Sequence, residues 1–235
     1  MRVVGISDIG LQRKKNEDRL LIDEEKNLYV VCDGMGGHKG GDVAATLAVN
    51  CLKETAAFSL KEDASGVLLQ AVVNANQCIW ERAKGDTELY EMGTTITAAV
   101  VVDLKLVVAH VGDSSIFLVR DNQIRKISQD HTLAEQMYKD GLLNKEDSTS
   151  NRYNHVLTRA LGVYREVEID LYSELLQSGD HILLCTDGLT DLLTEAEILE
   201  ALINGQDTEA VLHCLVKLAL DRGGHDNITM ILISV

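Results

Sequence analysis

Between Thr94 and Ile127 four β-type runs follow one another almost without a gap: Thr94 to Val102, Lys105 to Val111, Ser115 to Arg120 and Gln123 to Ile127. Short turns such as Val102-Asp103-Leu104 and Asp121-Asn122 separate them. A parallel neighbour needs a long crossover, whereas an antiparallel one needs only a tight turn. The middle of the chain is therefore expected to be an antiparallel meander. Further strands are expected at Val3 to Ser7, Arg19 to Asp23, Leu28 to Cys32, Glu166 to Tyr172, His181 to Thr186 and Ile228 to Val235. Helical periodicity marks Ala44 to Leu60, with Asp42 as its N-cap, and Ala64 to Lys84. It returns at Thr132 to Asp140, Glu195 to Ile203 and Thr208 to Leu220. Helices in blocks and strands in blocks are the pattern of an α+β class, not of alternating α/β. An antiparallel β-sandwich of two sheets, flanked by helices on both outer faces, would bury all of it. With no linker, repeat or low-complexity segment, residues 1–235 read as a single domain.

Charge narrows the partners. The formal net charge is -15, which argues against nucleic acid or an anionic membrane, since both need a basic face. It suits a protein that collects divalent cations, or simply an acidic soluble surface. There is no run of about 18 apolar residues that would span a membrane, and the first residues lack a signal-peptide core. The five cysteines (Cys32, Cys51, Cys78, Cys185 and Cys214) form no CxxC and read as reduced core residues of a cytoplasmic protein. Nothing suggests an oligomer, so a monomer is expected. The chain has no proline, leaving its 18 glycines to make the tight turns.

Four acidic motifs carry the chemistry: YVVCDGMGGH, VVAHVGDSS, ILLCTDGLTD and GGHDNITMILI. Each sets an Asp at the edge of an apolar run: Asp33, Asp113, Asp187 and Asp226. One Asp-Gly after a strand is usually only a turn, and Asp113 and Asp226 also suit caps or turns. Four such ends, if they converge, make an all-oxygen cage for hard divalent ions. Two ions about 3.5–4 Å apart would share a bridging water of lowered pKa and clamp a phosphoryl group. Asn16-Glu17-Asp18 adds two carboxylates, or is a solvated charge run beside Lys14 and Lys15. Arg13, just upstream, offers a fork of donors matched to phosphate oxygens, though most such arginines are surface residues. The glycine loop from Gly34 to Gly41 fails both nucleotide-binding patterns, with Lys39 where GxGxxG wants Gly. Its glycines instead let the backbone approach a metal, with the Gly34 carbonyl available as a ligand. None of the seven histidines pair at zinc-ligand spacing. His38, His110 and His225 flank the acidic motifs as outer partners, proton donors or structural groups, and His213 reads as structural.

In this order the blocks SDIGLQRKKNEDR, VVCDGMGGHKGG, MGTTITAAVV, AHVGDSSIFLVR, SQDHT, HVLTRALG, LLCTDGLTDLL and DNITMILISV resemble the metal-dependent Ser/Thr protein phosphatases of the 2C type, in particular the bacterial single-domain branch. The resemblance spans almost the whole chain and implies the sandwich derived above. It implies hydrolysis of phosphoserine and phosphothreonine, with Mn²⁺ or Mg²⁺ as cofactor, two ions held tightly and a third more weakly. Asp33 would bridge two ions, the Gly34 carbonyl would ligate one, and Asp187 and Asp226 would hold the other. Glu17 and Asp18 would act mainly through metal-bound waters, and Asp113 with Asp187 would form the weaker third position. Arg13 would grip the substrate phosphate. The stretch from about Leu133 to Asn154 would be a flap that influences substrate choice, its polar part running from Gly141 to Tyr153. Phosphoprotein substrates, and a Ser/Thr protein kinase acting opposite, are the partners implied.

Three departures from the family pattern stand out. Met35 occupies the place where many relatives carry a general-acid His, which leaves His38, three residues on, as the candidate. Ser115 stands where the GDSR-type block often ends in Arg, and the proline usual before the VLTRALG block is missing. Two other readings compete. A haloacid-dehalogenase-type phosphatase, prompted by TDGLTD, wants a second Asp two residues after the first, but Met35 and Leu189 stand there. A relative that only binds phosphoproteins finds no support, because every expected metal carboxylate is present.

Overall fold

The computed structural model describes residues 1–36, 40–55, 63–144, 153–205 and 207–235. Two five-stranded antiparallel sheets face each other. The first runs β1 (Arg2–Asp8), β12 (Ile228–Ser234), β11 (His181–Cys185), β8 (Ser115–Arg120) and β9 (Gln123–Lys126). The second runs β10 (Asp170–Leu175), β7 (Lys105–Val111), β6 (Ile96–Val102), β3 (Leu28–Cys32) and β2 (Arg19–Asp23). Helices α1 (Gly41–Thr55) and α2 (Ala64–Lys84) cover the outer face of the second sheet, and α5 (Glu195–Asn204) and α6 (Thr208–Asp221) cover that of the first.

Side chains alternate across each strand, so this arrangement makes three apolar layers. Tyr29 and Val31 of β3 point between the sheets, where they join Val108, Ile182, Leu184 and Ile231. Leu28, Val30 and Cys32 of the same strand point at α1 and α2. In the first sheet Leu183, Cys185, Met230 and Leu232 point at α5 and α6. Because both faces are covered, β3 reads as an unbroken apolar run rather than a polar–apolar alternation. Leu184 is fully buried between the sheets. Leu184→Ala is expected to cost about 2–5 kcal/mol of unfolding free energy, read as a lower urea midpoint at unchanged slope.

The structure departs from the expected elements at several points. The run from Thr94 is split into β5 (Gly93–Thr94), paired with β4 (Gly34–Met35), and β6. The break is Thr95. Its N–H donates to the Asp33 carbonyl (2.9 Å), and its Oγ1 accepts the Asp33 N–H (2.9 Å), in place of continued ladder bonds. The strand expected from Glu166 begins at Asp170, because Val167 and Ile169 pack into the helix-side layer first. Helix α1 starts at Gly41, where the Gly40 carbonyl takes the Ala44 N–H at 2.9 Å. Asp42 therefore lies in the first turn rather than capping it, and pairs with Lys15 at 2.5 Å. The part of the expected first helix beyond Thr55 lies outside the described residues. Thr132 caps α3 (Leu133–Lys139) through the Glu135 N–H. A one-turn helix, α4 (Asp187–Thr190), was not expected. Only Cys32 and Cys185 are core residues; Cys51 is half-buried, and Cys78 and Cys214 are exposed on helices. His213, too, faces solvent from α6.

Candidate active site

The register brings the acidic motifs to one end of the sandwich. Cys185 at the end of β11 pairs with Ser115 at the start of β8 and with Met230 near the start of β12. The residues just beyond these ends are Asp187, Asp113 and Asp226. Asp33 leaves the end of β3 across the gap between the sheets. These four, with Arg13, Glu17 and Gly34, line one cavity of about 1190 Å³. Asp18 lies behind its wall and is only 2% exposed. The carboxylates expected to converge do converge. Gly34 fits because a Cβ there would stand 2.2 Å from the Gly41 carbonyl oxygen. His38 lies outside the described residues.

Backbone bonds fix Asp33, and its protonated carboxyl donates to Asp187. Its carbonyl accepts from Thr94 Oγ1 at 2.8 Å as well as from the Thr95 N–H, and Thr95 Oγ1 meets Ser114 Oγ at 2.8 Å. One buried side chain makes three bonds to the 9–18 loop. Asn227 accepts the Glu17 N–H at 2.8 Å and donates to the carbonyls of Ile9 (2.9 Å) and Lys15 (3.1 Å). It thereby ties the segment carrying Arg13, Glu17 and Asp18 to the start of β12 and Asp226. Gly10, at φ +75°, allows the close approach, since a Cβ there would meet the Asp226 carbonyl at 2.2 Å. Asn227→Ala is expected to lower unfolding free energy by about 2–4 kcal/mol and to weaken Mn²⁺ binding, checked by chemical denaturation and metal titration.

The electrostatics are those of like charges forced together. Burial pushes Asp33 well above the usual carboxylate range, reinforced by Asp18, Asp187 and Asp113. Burial also raises Asp113, with Asp187 and Asp130 adding to it, and raises Asp187, with Asp226 adding. Asp18 is pushed up to about 7 by burial, against hydrogen bonds from Thr229 and Thr186. Glu17 is raised by burial, partly offset by Lys15. Thr186 Oγ1 donates to Asp18 Oδ2 at 2.8 Å. Asp18 Oδ1 and Asp187 Oδ1 are buried without a hydrogen-bond partner among the described residues. Buried acceptors left unpaired are costly. An all-oxygen donor set with orphaned buried oxygens fits hard divalent cations.

Arg13 stands half-exposed at the cavity mouth, its Nη2 donating to Asp226 Oδ2 at 2.5 Å. Met35 lines the cavity. Ser115 does not, being fully buried at the start of β8. Of the flanking histidines, His225 is exposed and meets Gln12 Nε2 at 2.6 Å. His110 is structural: it is fully buried between Thr97 Oγ1 (2.9 Å) and the Gln129 carbonyl (3.1 Å). Burial and the neighbouring His131 lower its pKa to about 3. Of the expected flap Asn154 lines the cavity, with His155, Val156 and Leu157 just after it; residues 145–152 lie outside the described set.

Two site residues were not singled out from the sequence. Asp191 is one helical turn beyond Asp187, and burial and Asp187 push it up to about 7. The four-residue spacing in TDGLTD was a usable signal once α4 is known to be helical. His155 places Nδ1 3.6 Å from Asp191 Oδ2 and 4.0 Å from Asp187 Oδ2. Nothing local to its sequence marks it, because its partners Asp187 and Asp191 lie more than thirty residues along the chain.

Known proteins share this sequence and geometry. The Protein phosphatase 2C family profile matches residues 12–218. A serine/threonine phosphatase stp of Listeria innocua is 36% identical over 234 residues, spanning 97% of this chain and 93% of that protein. The S. agalactiae serine/threonine phosphatase structure superposes with a TM-score of 0.93 at 33% identity, covering 100% of this chain and 99% of that one. The catalytic domain of serine/threonine protein phosphatase PstP, solved in complex with 2 manganese ions, gives a TM-score of 0.88 at 34% identity, covering 98% and 96%. A match over most of the sequence and of the fold, at this level of identity, settles the lineage: the chain belongs to the protein phosphatase 2C family.

Proposed function

We propose that this chain is a protein phosphatase that hydrolyses phosphoserine and phosphothreonine at a binuclear Mn²⁺ or Mg²⁺ centre. The observation that carries the proposal is the convergence of Asp33, Asp187 and Asp226 on one cavity, with a buried Asp187 oxygen lacking a partner among the described residues. The two manganese ions of the PstP structure support the choice of metal. When bound, the ions supply a water of lowered pKa and neutralise charge on the phosphoryl group.

The chain's own residues do the rest. Asp33 would hold both ions, and the Gly34 carbonyl, Asp187 and Asp226 would supply their other protein ligands. Glu17 and Asp18 would act mainly through metal-bound waters, and Asp113 with Asp187 would offer a weaker third position. Arg13, on the exposed rim, swings from Asp226 to take two phosphate oxygens in its fork. His38 is the candidate proton donor to the departing alkoxide. Residues 1–235 act as one catalytic domain, because β3, β8, β11 and β12 all contribute to the one site. We further infer a monomeric, cytoplasmic enzyme acting opposite a Ser/Thr kinase. Consistent with that, no helix among the described residues is long and apolar enough to cross a membrane.

The test is phosphate release from a phosphothreonine peptide with Mn²⁺, with EDTA, and with neither. Release that requires Mn²⁺ and stops with EDTA supports the proposal. Tight Mn²⁺ binding with no release from any phosphopeptide or phosphoprotein would make the chain a binding-only relative instead.

A further inference from the structure

Helices α1 and α2 lie side by side on the second sheet and carry one cysteine each on their facing flanks. Cys51 Sγ and Cys78 Sγ stand 3.9 Å apart, about 2 Å more than a disulfide length. Rotation about the two Cα–Cβ bonds is the motion that would carry one sulfur to the other. The pair is also reachable: Cys78 is exposed and Cys51 half-buried. The other three cysteines differ in kind. Cys32 and Cys185 are sealed in the core, where burial pushes their thiols up, and Cys214 sits on α6, across the sandwich from α1 and α2.

We propose that Cys51 and Cys78 are a thiol pair built to form an intramolecular disulfide under hydroperoxide. The exposed Cys78 reacts first: its thiolate attacks the peroxide O–O bond, giving a sulfenic acid and one water or alcohol. The Cys51 thiolate then attacks the sulfenic sulfur, forming the S–S bond and expelling a second water. Two thiols are oxidised by two electrons, and one peroxide is reduced. The bond joins two helices, one starting beside the active site and the other anchoring chain that follows the site's flap. α1 begins at Gly41, against the Gly34 carbonyl. Asn76 on α2 anchors the chain just beyond the flap, accepting the Gly162 N–H at 2.8 Å and donating to the Tyr164 and Arg165 carbonyls at 3.1 Å each. Neither cysteine lines the metal cavity, so the cross-link stiffens the helical layer and leaves the metal ligands free. The bond also closes a chain loop of more than twenty residues, so the oxidised protein is expected to melt about 5–10 °C higher.

The test is full-length protein treated with a modest excess of hydrogen peroxide, then digested without reductant and mapped by mass spectrometry. The expected product is monomer lighter by two hydrogens, with the Cys51 and Cys78 peptides joined. It reverts with dithiothreitol, and it is absent in Cys51→Ser and in Cys78→Ser. Melting should rise on oxidation in the wild type and in Cys214→Ser, and in neither of the other variants. Cys78 stopping at sulfinic acid with Cys51 still reduced would overturn the proposal, as would intermolecular dimers in place of the internal link. These readouts do not depend on phosphatase activity, so the proposal stands or falls apart from the functional reading above.

Discussion

Asp33→Asn is expected to remove turnover by about 10³-fold or more while leaving the protein folded, and to abolish its thermal response to Mn²⁺. The fold should survive because the bonds that fix this residue are made by its backbone: the N–H to Thr95 Oγ1, and the carbonyl to Thr94 Oγ1 and the Thr95 N–H. Asn keeps the shape and all three bonds. The side chain itself is a half-buried carboxyl crowded by Asp18, Asp187 and Asp113 and hydrogen-bonded to Asp187. Without metal the raised pKa already keeps this carboxyl protonated, and an amide is likewise neutral and able to donate to Asp187, so the EDTA-treated variant should melt no lower than the EDTA-treated wild type. The Mn²⁺ response separates the two proteins. Wild type at a metal concentration 100 times its dissociation constant gains about 2.7 kcal/mol, and the variant gains almost none. Retained activity, or an unchanged Mn²⁺ shift, would show that Asp33 does not bridge the metals. A variant that fails to fold would show instead that the carboxyl has a structural partner.

What was legible in the sequence followed from covalent order and strand periodicity. Short turns dictated the antiparallel middle, and an Asp at the end of an apolar run dictated a carboxylate at the end of a strand. The pairing of Cys185 with both Ser115 and Met230 then gathered Asp113, Asp187 and Asp226 at one rim. Long-range features escaped. Thr95 interrupts its strand because it bonds to Asp33, 62 residues away, which no local pattern records. Asn227 was not singled out in the sequence, yet its side chain organises the 9–18 loop. The β10 boundary shifted because Val167 and Ile169 had an apolar layer to fill before the strand begins. Helical cysteines looked like core residues because apolar neighbours in sequence are not neighbours on a helix face. Cys51 and Cys78 sit on the flanks of α1 and α2 rather than on the buried stripe.

The second large effect is a reversal in how stability depends on pH when metal is added. In the unfolded chain the site carboxyls titrate near 4. In the folded chain Asp18 and Asp191 are pushed up to about 7, and Asp33 and Asp113 are also raised well above the usual range. A raised folded pKa means the native state holds protons that the unfolded state has released. Stability from these groups is therefore full below about pH 4 and lost as pH climbs through about 7. Each such proton contributes a slope of about 1.4 kcal/mol per pH unit. Two buried histidines oppose this at lower pH. His110 and His131 are both lowered by burial, so the unfolded state gains their protons as pH falls below about 6.5. From pH 6.5 to 8 the two unfolded histidines lose only their last half-proton each, and the four raised carboxyls of the native state outweigh them. In EDTA, the midpoint of urea unfolding should fall from pH 6.5 to 8. With saturating Mn²⁺ the sign turns, because metal and protons compete for the same oxygens and deprotonation now favours the liganded native state. Stability should then hold level or rise over the same interval, with proton release accompanying Mn²⁺ binding in unbuffered titration. Parallel curves with and without Mn²⁺ would mean that the metal does not bind through these carboxyls. A flat curve in EDTA would mean that the native state leaves them ionised, and the crowding that marks this rim as a cation site would have to be given up.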